Sequence, residues 1–335
     1  MKRVERLVSA AAEASHGVLH VSVLAAHGLH ESARRRLVAD GLLRRKSVGV
    51  YSIADDLNTR GSYEHRCAAA LTTAGPDSML AREAAARWHE LDGFAPRRRT
   101  STSAPIAEQP SVAGREPSVN VPRSSGRRGS NLHRVDSTAH PSTFGGLRVT
   151  GIGQTLCELG SGLAAVESPG KHRLLPIDQV ELALECALHR KLITLDHLGL
   201  AFDACGGTHR GAAVLRAALA RRPPDTLPTE SWLETRTVQV LRSDGIIDVE
   251  RQVTIFDRRG RRIGRVDLRI GGLLIECDSQ EFHPEFDKDR ARWAKLQAAG
   301  YLTLPVTFRQ VEFETPDFLR SVRDLLALDR SRAVG

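Results

Sequence analysis

A chain of 335 residues with 41% hydrophobic content is long enough for two or three domains, each with its own core. Lys plus Arg outnumber Asp plus Glu by 48 to 40, and the isoelectric point near 9.6 favours a polyanionic partner. Five widely spaced cysteines without a C-x-x-C pair argue against a disulfide framework or cysteine-type zinc site and for the cytoplasm, while no stretch has the apolar length of a membrane span.

Val4, Leu7, Val8 and Ala11 recur at helical spacing within residues 2–14, and Gly17 ends that first helix. The run passes through Glu13 and His16, which makes it a poor secretion signal. A short strand or turn follows, then a short helix to about His27, a tight turn at Gly28, a second helix ending before Gly41, and a β-hairpin from Leu42 to Ile53. This is the order of a winged helix-turn-helix, placed at residues 1–56. Arg34, Arg35 and Arg36 fall on its second helix, suited to a major groove. Arg44, Arg45 and Lys46 fall on the wing, where they would meet phosphates. The alternative is a small helical domain whose arginines are a solvated face.

The words A-D-G-L-L-R-R (39–45) and G-V-Y-S-I (49–53) give this segment a resemblance to the N-terminal winged-helix domain of the AbiEi-like antitoxin family. The run from Tyr63 to Phe94 resembles that family's next helical pair, a helical extension over 57–96 with Trp88, Leu91 and Phe94 in the core. Residues 97–145 shift to Arg, Ser, Pro and Gly, including Arg97, Arg98, Arg99, Arg123, Arg127 and Arg128. They read as a basic linker, mobile over roughly 97–118, with short extended pieces at Ser118–Val121 and Asn131–Val135.

Residues 146–222 read as a helical middle region, a spacer or dimerisation layer. A strand leads into a helix holding Leu156 and Leu159. Residues 177–190 follow as an amphipathic helix with Val180, Leu184, Ala187 and Leu188 on one face, then a helix N-capped by Thr194 and another ending near Arg222. His172, His189, His197 and His209 are scattered through it as ordinary histidines.

Pro223, Pro224 and Pro228 mark the start of a last domain, 223–330, with the order α-β-β-β-α-β-α of a small mixed sheet with flanking helices. Its centre is R-V-D-L-R-I-G-G-L-L-I-E-C-D, Arg265 to Asp278. Gly271-Gly272 predicts a two-residue hairpin turn with positive φ at both positions. That turn sets Ile270 against Leu273, Leu268 against Ile275, Asp267 against Glu276 and Arg265 against Asp278, with Val266, Leu268, Ile270, Leu273, Ile275 and Cys277 on the other, buried face. Facing carboxylates need a compensating cation, which a divalent metal would supply.

S-W-L-E-T-R (231–236), R-V-D-L-R-I (265–270), I-E-C-D-S-Q-E-F-H (275–283) and the run from Asp287 to Tyr301 resemble the PD-(D/E)XK nuclease superfamily, in particular proteins related to very-short-patch repair endonucleases. The resemblance covers about the last 110 residues. It implies a multi-domain α/β protein, with winged helix, helical middle and restriction-endonuclease-like mixed sheet, that binds DNA and hydrolyses phosphodiesters with Mg²⁺ or Mn²⁺. Asp267 and Glu276 would be metal ligands, joined by Glu234; Asp278 stands where the superfamily usually has lysine, a role that would then pass to Lys288 or Lys295 on the next helix. His283 would be a general acid or base, and Arg290 and Arg292 would hold the backbone.

Each residue also has a plainer reading. Asp278 can pair with Arg265, Glu234 can close a capping box with Ser231, with Glu230 as the ligand in its place, and His283 can end a strand before Pro284. The competing function is a non-catalytic, antitoxin-type transcriptional regulator with a degenerate nuclease fold. Its partners would be DNA, a second copy in a homodimer and a cognate toxin. RNA ranks lower, since aromatic residues make up 4% of the chain and no R-G-F-x-F-type stacking motif occurs.

Overall fold

The computed structural model describes residues 2–12, 16–53, 63–94, 116–122, 125, 129, 131–135, 141–167, 173–205, 210–223, 226–257, 259–278 and 286–334, with side chains except at 2, 12, 286–290 and 333–334. The chain divides into two compact units, Met1–Glu90 with Ser111–Leu159 and Leu91–Pro110 with Gly160–Gly335. Both combine helices with sheets, so the class is α/β. Among the described residues no helix is long and apolar enough to cross a membrane.

The first unit opens with α1 (Lys2–Ala12), β1 (Val18–His20), α2 (Val21–Ala26), α3 (Glu31–Ala39), β2 (Leu43–Ser47) and β3 (Val50–Ile53). The three strands form an antiparallel sheet in the order β1-β3-β2. Gly28, at φ +72°, lets Leu29 N–H return to Leu24 O and turns α2 into α3. Leu7, Ala10, Leu19, Leu24, Leu29, Leu37 and Leu43 make the core. Val4 and Val8, expected on the inner face of α1, are 46% and 64% exposed, because Leu7 and Ala10 centre that face.

A second core in this unit is built on α4 (Tyr63–Ala74), β4 (Met79–Leu80), α5 (Arg82–Trp88), β5 (Val119–Pro122), β6 (Leu132–Val135), β7 (Ser142–Phe144), β8 (Leu147–Val149) and α6 (Ile152–Leu159). The strands form a five-stranded mixed sheet, order β6-β5-β4-β8-β7. The extended pieces foreseen near 118–121 and 131–135 are thus strands of a sheet rather than passages in a linker. Val119 and Val121 are fully buried in it. The residues between 95 and 115, where the mobile stretch was expected, lie outside those described.

The second unit holds β9 (Val166–Glu167), β10 (Arg173–Leu174), α7 (Pro176–His189), α8 (Leu195–Ala204), α9 (Arg210–Ala220), α10 (Trp232–Ser243), β11 (Glu250–Phe256), β12 (Arg262–Ile270), β13 (Leu273–Asp278), α11 (Phe286–Ala298), β14 (Leu302–Thr307), α12 (Phe308–Glu312) and α13 (Thr315–Val334). Its main sheet runs β11-β12-β13-β14, antiparallel except for the parallel pair β13-β14, which α11 connects. Leu233, Val240 and Leu241 of α10 pack on one face with Leu268, Leu273 and Ile275, and Leu296 of α11 packs on the other with Ile255, Val266 and Leu274.

The helical middle is not a spacer. Every residue of α7 from Gln179 to Leu188 is buried, including Glu181 and Glu185. Arg242 of α10 and Arg251 of β11 pair with these two acids at 2.9 Å and 3.1 Å, and Arg222 pairs with Glu185 at 3.2 Å. A charged seam therefore joins α7 to the helix and edge strand of the main sheet.

Candidate functional site

Ser231 begins α10 by accepting a hydrogen bond from Glu234 N–H at 3.2 Å, so Glu234 sits in the first turn. The Glu234 carboxylate reaches back to accept from Glu230 N–H (3.0 Å) and from the Gln252 amide (2.6 Å). Glu234 is 4% exposed. Burial, followed by the charge of Asp267, pushes its pKa up to about 7 against the pull of these donors.

Gln252 lies in β11 with φ +54°, between the registered pairs Arg251 with Leu268 and Val253 with Val266. Val266 packs on the α11 side of the sheet and Leu268 on the α10 side. Residues two apart in a regular strand share a face, so the alternation breaks at Asp267 although the register is kept, and the positive φ of Gln252 marks the same step on β11. This corrects the expectation that Val266 and Leu268 share one buried face.

The β12–β13 ladder pairs Leu268 with Ile275, Arg269 with Leu274 and Ile270 with Leu273, as the turn predicts. Beyond Leu268 it stops, and the Asp267 carboxylate accepts from Cys277 N–H at 2.8 Å in place of a main-chain partner. Asp267 and Glu276 therefore do not meet as a simple cross-strand pair. Burial raises the Asp267 pKa, opposed by that N–H and by Arg292. Burial and then the Asp267 charge push up the Cys277 thiol, with Glu234 and Glu276 adding to the effect.

The compensating cation is supplied by the protein. Arg292 of α11 pairs with Glu276 at 3.1 Å and donates to Arg265 O at 2.8 Å. Arg265 in turn pairs with Glu230 at 2.5 Å and is registered against Thr254, not Asp278. Asp278 ends β13, exposed and registered with Thr307. Lys295 is exposed on α11. His283, and the side chains of Lys288 and Arg290, lie outside what is described.

Glu234, Asp267 and Glu276 are an all-oxygen set of the kind the nuclease resemblance implies, and each is met by a protein group in this structure. Among the described residues no group of three or more His, Cys, Asp or Glu side chains is arranged to hold a metal ion. Glu276 is engaged by a guanidinium, Asp267 by a main-chain N–H and Glu234 by an amide. Arg292, expected on a nucleic-acid backbone, pairs with Glu276 in this cluster. Sequence reading missed Gln252; its only signal was a polar residue beside Arg251, breaking the alternation of E-R-Q-V-T-I-F.

On the N-terminal basic surface, Arg34 donates to Leu29 O at 2.9 Å and so closes the α2–α3 turn. Arg35 pairs with Glu31 one turn earlier at 2.5 Å. Arg36, Arg44, Arg45 and Lys46 are exposed on α3 and β2. Comparison with protein-family models, with curated proteins and with solved structures finds no match to this chain.

Proposed function

We propose that this chain is a cytoplasmic DNA-binding protein of the antitoxin-regulator type, in which a winged helix of the AbiEi kind accompanies a nuclease-like domain that no longer hydrolyses DNA. The observation that carries the non-catalytic reading is Arg292 against Glu276, where the nuclease resemblance calls for a metal. Asp278 at the lysine position supports it, since a carboxylate cannot orient an attacking water as an ammonium does. DNA binding is supported by the exposed Arg36, Arg44, Arg45 and Lys46 on a helix and hairpin in winged-helix order. A cognate toxin and a second copy of the chain remain partners of this reading.

One observation favours a second reading, a metal-dependent phosphodiesterase. Buried acids with raised pKa values cluster at catalytic sites, and Glu234 beside Asp267 is such a pair. That reading requires Arg292 to leave Glu276. The deciding experiment incubates the full chain with labelled duplex and with supercoiled plasmid in Mg²⁺ or Mn²⁺. We expect salt-dependent shifts of the duplex, weakened by Arg36→Ala with Lys46→Ala, and an uncut plasmid. Cleavage that disappears in both Asp267→Ala and Glu276→Ala overturns the non-catalytic conclusion.

A further inference from the structure

The turn between β11 and β12 carries D-R-R-G-R-R, Asp257 to Arg262, a basic run outside both the N-terminal surface and the acidic cluster. The hairpin below it has two distinct faces. Val253, Ile255 and Ile263 pack inward with Val266, Leu274 and Leu296, whereas Thr254, Phe256, Arg262 and Arg265 are exposed. Phe256 is registered directly against Arg262, and this aromatic ring is 52% exposed at the end of a sheet edge. What sets this exposed ring apart is its place, an aromatic face directly across the ladder from an exposed arginine at the tip of a basic turn.

Hydrogen bonds of Asp257 hold the described residues of the tip. The Asp257 carboxylate accepts from Arg259 N–H (2.8 Å), from Arg261 N–H (2.9 Å) and from the Arg261 guanidinium (2.8 Å). Asp257 N–H donates to Arg261 O at 2.8 Å, and Gly260 at φ +73° completes the turn. The one acid of the turn is thereby folded onto its backbone and onto Arg261, so Arg259 and Arg262 are presented to solvent. Backbone fixed before binding lowers the ordering cost of capturing a ligand.

We propose that this hairpin tip is a second nucleic-acid contact, in which Arg259 and Arg262 hold backbone phosphates of DNA and Phe256 stacks on an unpaired base. Guanidinium suits phosphate because it donates in a planar fork, and a phenyl face accepts any base. Arg265 is not part of the contact, being paired with Glu230. The partner is thus a DNA strand with unpaired nucleotides, and the contact is independent of the winged-helix reading.

The test uses the full chain and fluorescence anisotropy with a fluorescein-labelled 20-nucleotide single strand and the matching blunt duplex, titrated at several salt concentrations. Arg259→Gln with Arg262→Gln keeps the aliphatic stems and removes two charges, so the slope of log Kd against log salt on the single strand should fall by about 1.4. Arg259→Lys with Arg262→Lys should restore it. Phe256→Ala should weaken the single strand about five- to a hundredfold and leave the duplex unchanged. An unaltered slope in the glutamine variant at native Tm overturns the proposal, as does equal weakening of both DNAs by Phe256→Ala. Repeating the series on Arg36→Ala/Lys46→Ala separates the two surfaces. If that background binds duplex normally while the tip variants still lose the single strand, the winged-helix reading fails and the hairpin contact stands.

Discussion

Glu234 is the carboxyl of the cluster that burial pushes far above its ordinary value. A carboxyl raised from 4.5 to about 7 on folding binds its proton more tightly in the native state, so stability from this site falls as pH rises. The penalty is absent below about pH 4.5 and fully present above about pH 7. A shift of that size corresponds to roughly 3 kcal/mol. Glu234→Gln keeps an acceptor for Gln252 and Glu230 N–H but carries no charge. It should therefore raise Tm at pH 8 and leave it nearly unchanged at pH 5; equal effects at both would remove the electrostatic explanation. At this scale Asp267, Glu276 and Glu234 were legible as candidates, because carboxylates on predicted strands and a helix cap are visible in a sequence. That Gln252 clamps Glu234 and Arg292 answers Glu276 was not, since both partners arrive from other elements.

In the hairpin that carries the site, the sequence predicts the turn and its first three pairs but assigns the two glycines one reason where the structure gives two. Gly271 alone has a left-handed φ, +58°, which fits a turn needing it only at the first central position. Gly272 is small because α13 reaches over it: Asp329 accepts from its N–H at 2.8 Å, and a Cβ there would lie 2.1 Å from the Asp329 carboxylate. Gly271→Ala should cost about 1–2 kcal/mol through backbone strain. Gly272→Ala acts by displacing Asp329, so Asp329→Ala should lessen its cost; urea denaturation of the single and double variants measures that coupling. A period of two predicted one face for Val266 and Leu268, and it failed at Asp267, where the alternation changes beside the positive-φ Gln252 without a register shift. Local pattern reports a strand, not its irregularities.

The second unit is crossed by a charged seam that no local pattern announces. Glu185 accepts from Thr229 N–H and pairs with Arg222 and Arg251, all of them buried or nearly so, while Glu181 answers Arg242. Glu185→Ala would leave Arg222 without its acid and Arg251 with only Glu181 at 3.6 Å, and should cost about 3–5 kcal/mol in urea denaturation. An apolar replacement of the pair, Glu185→Leu with Arg251→Met, should cost less than Glu185→Ala. A loss under 1 kcal/mol for the single variant would show that water reaches the seam. Since both acids lie on α7, the same experiment tests whether the helical middle is part of the second unit's core.

The sequence by itself determined the helices and hairpin of residues 2–53 and most of the element order after residue 229, since helix caps, glycine turns and hydrophobic periods are set by neighbours in the chain, but not β4, β9, β10 or α12. It also determined that the chain mixes helices with strands, and which carboxylates stood close to the central turn. Tertiary structure decided the rest. It made strands of a mixed sheet from residues read as linker passages, and a buried helix from one read as amphipathic. It also brought Arg292 to the acids in the place where a metal was expected. The physical reason is the same in each case: burial and charge compensation depend on which distant segments arrive, and a period along the chain carries no record of them.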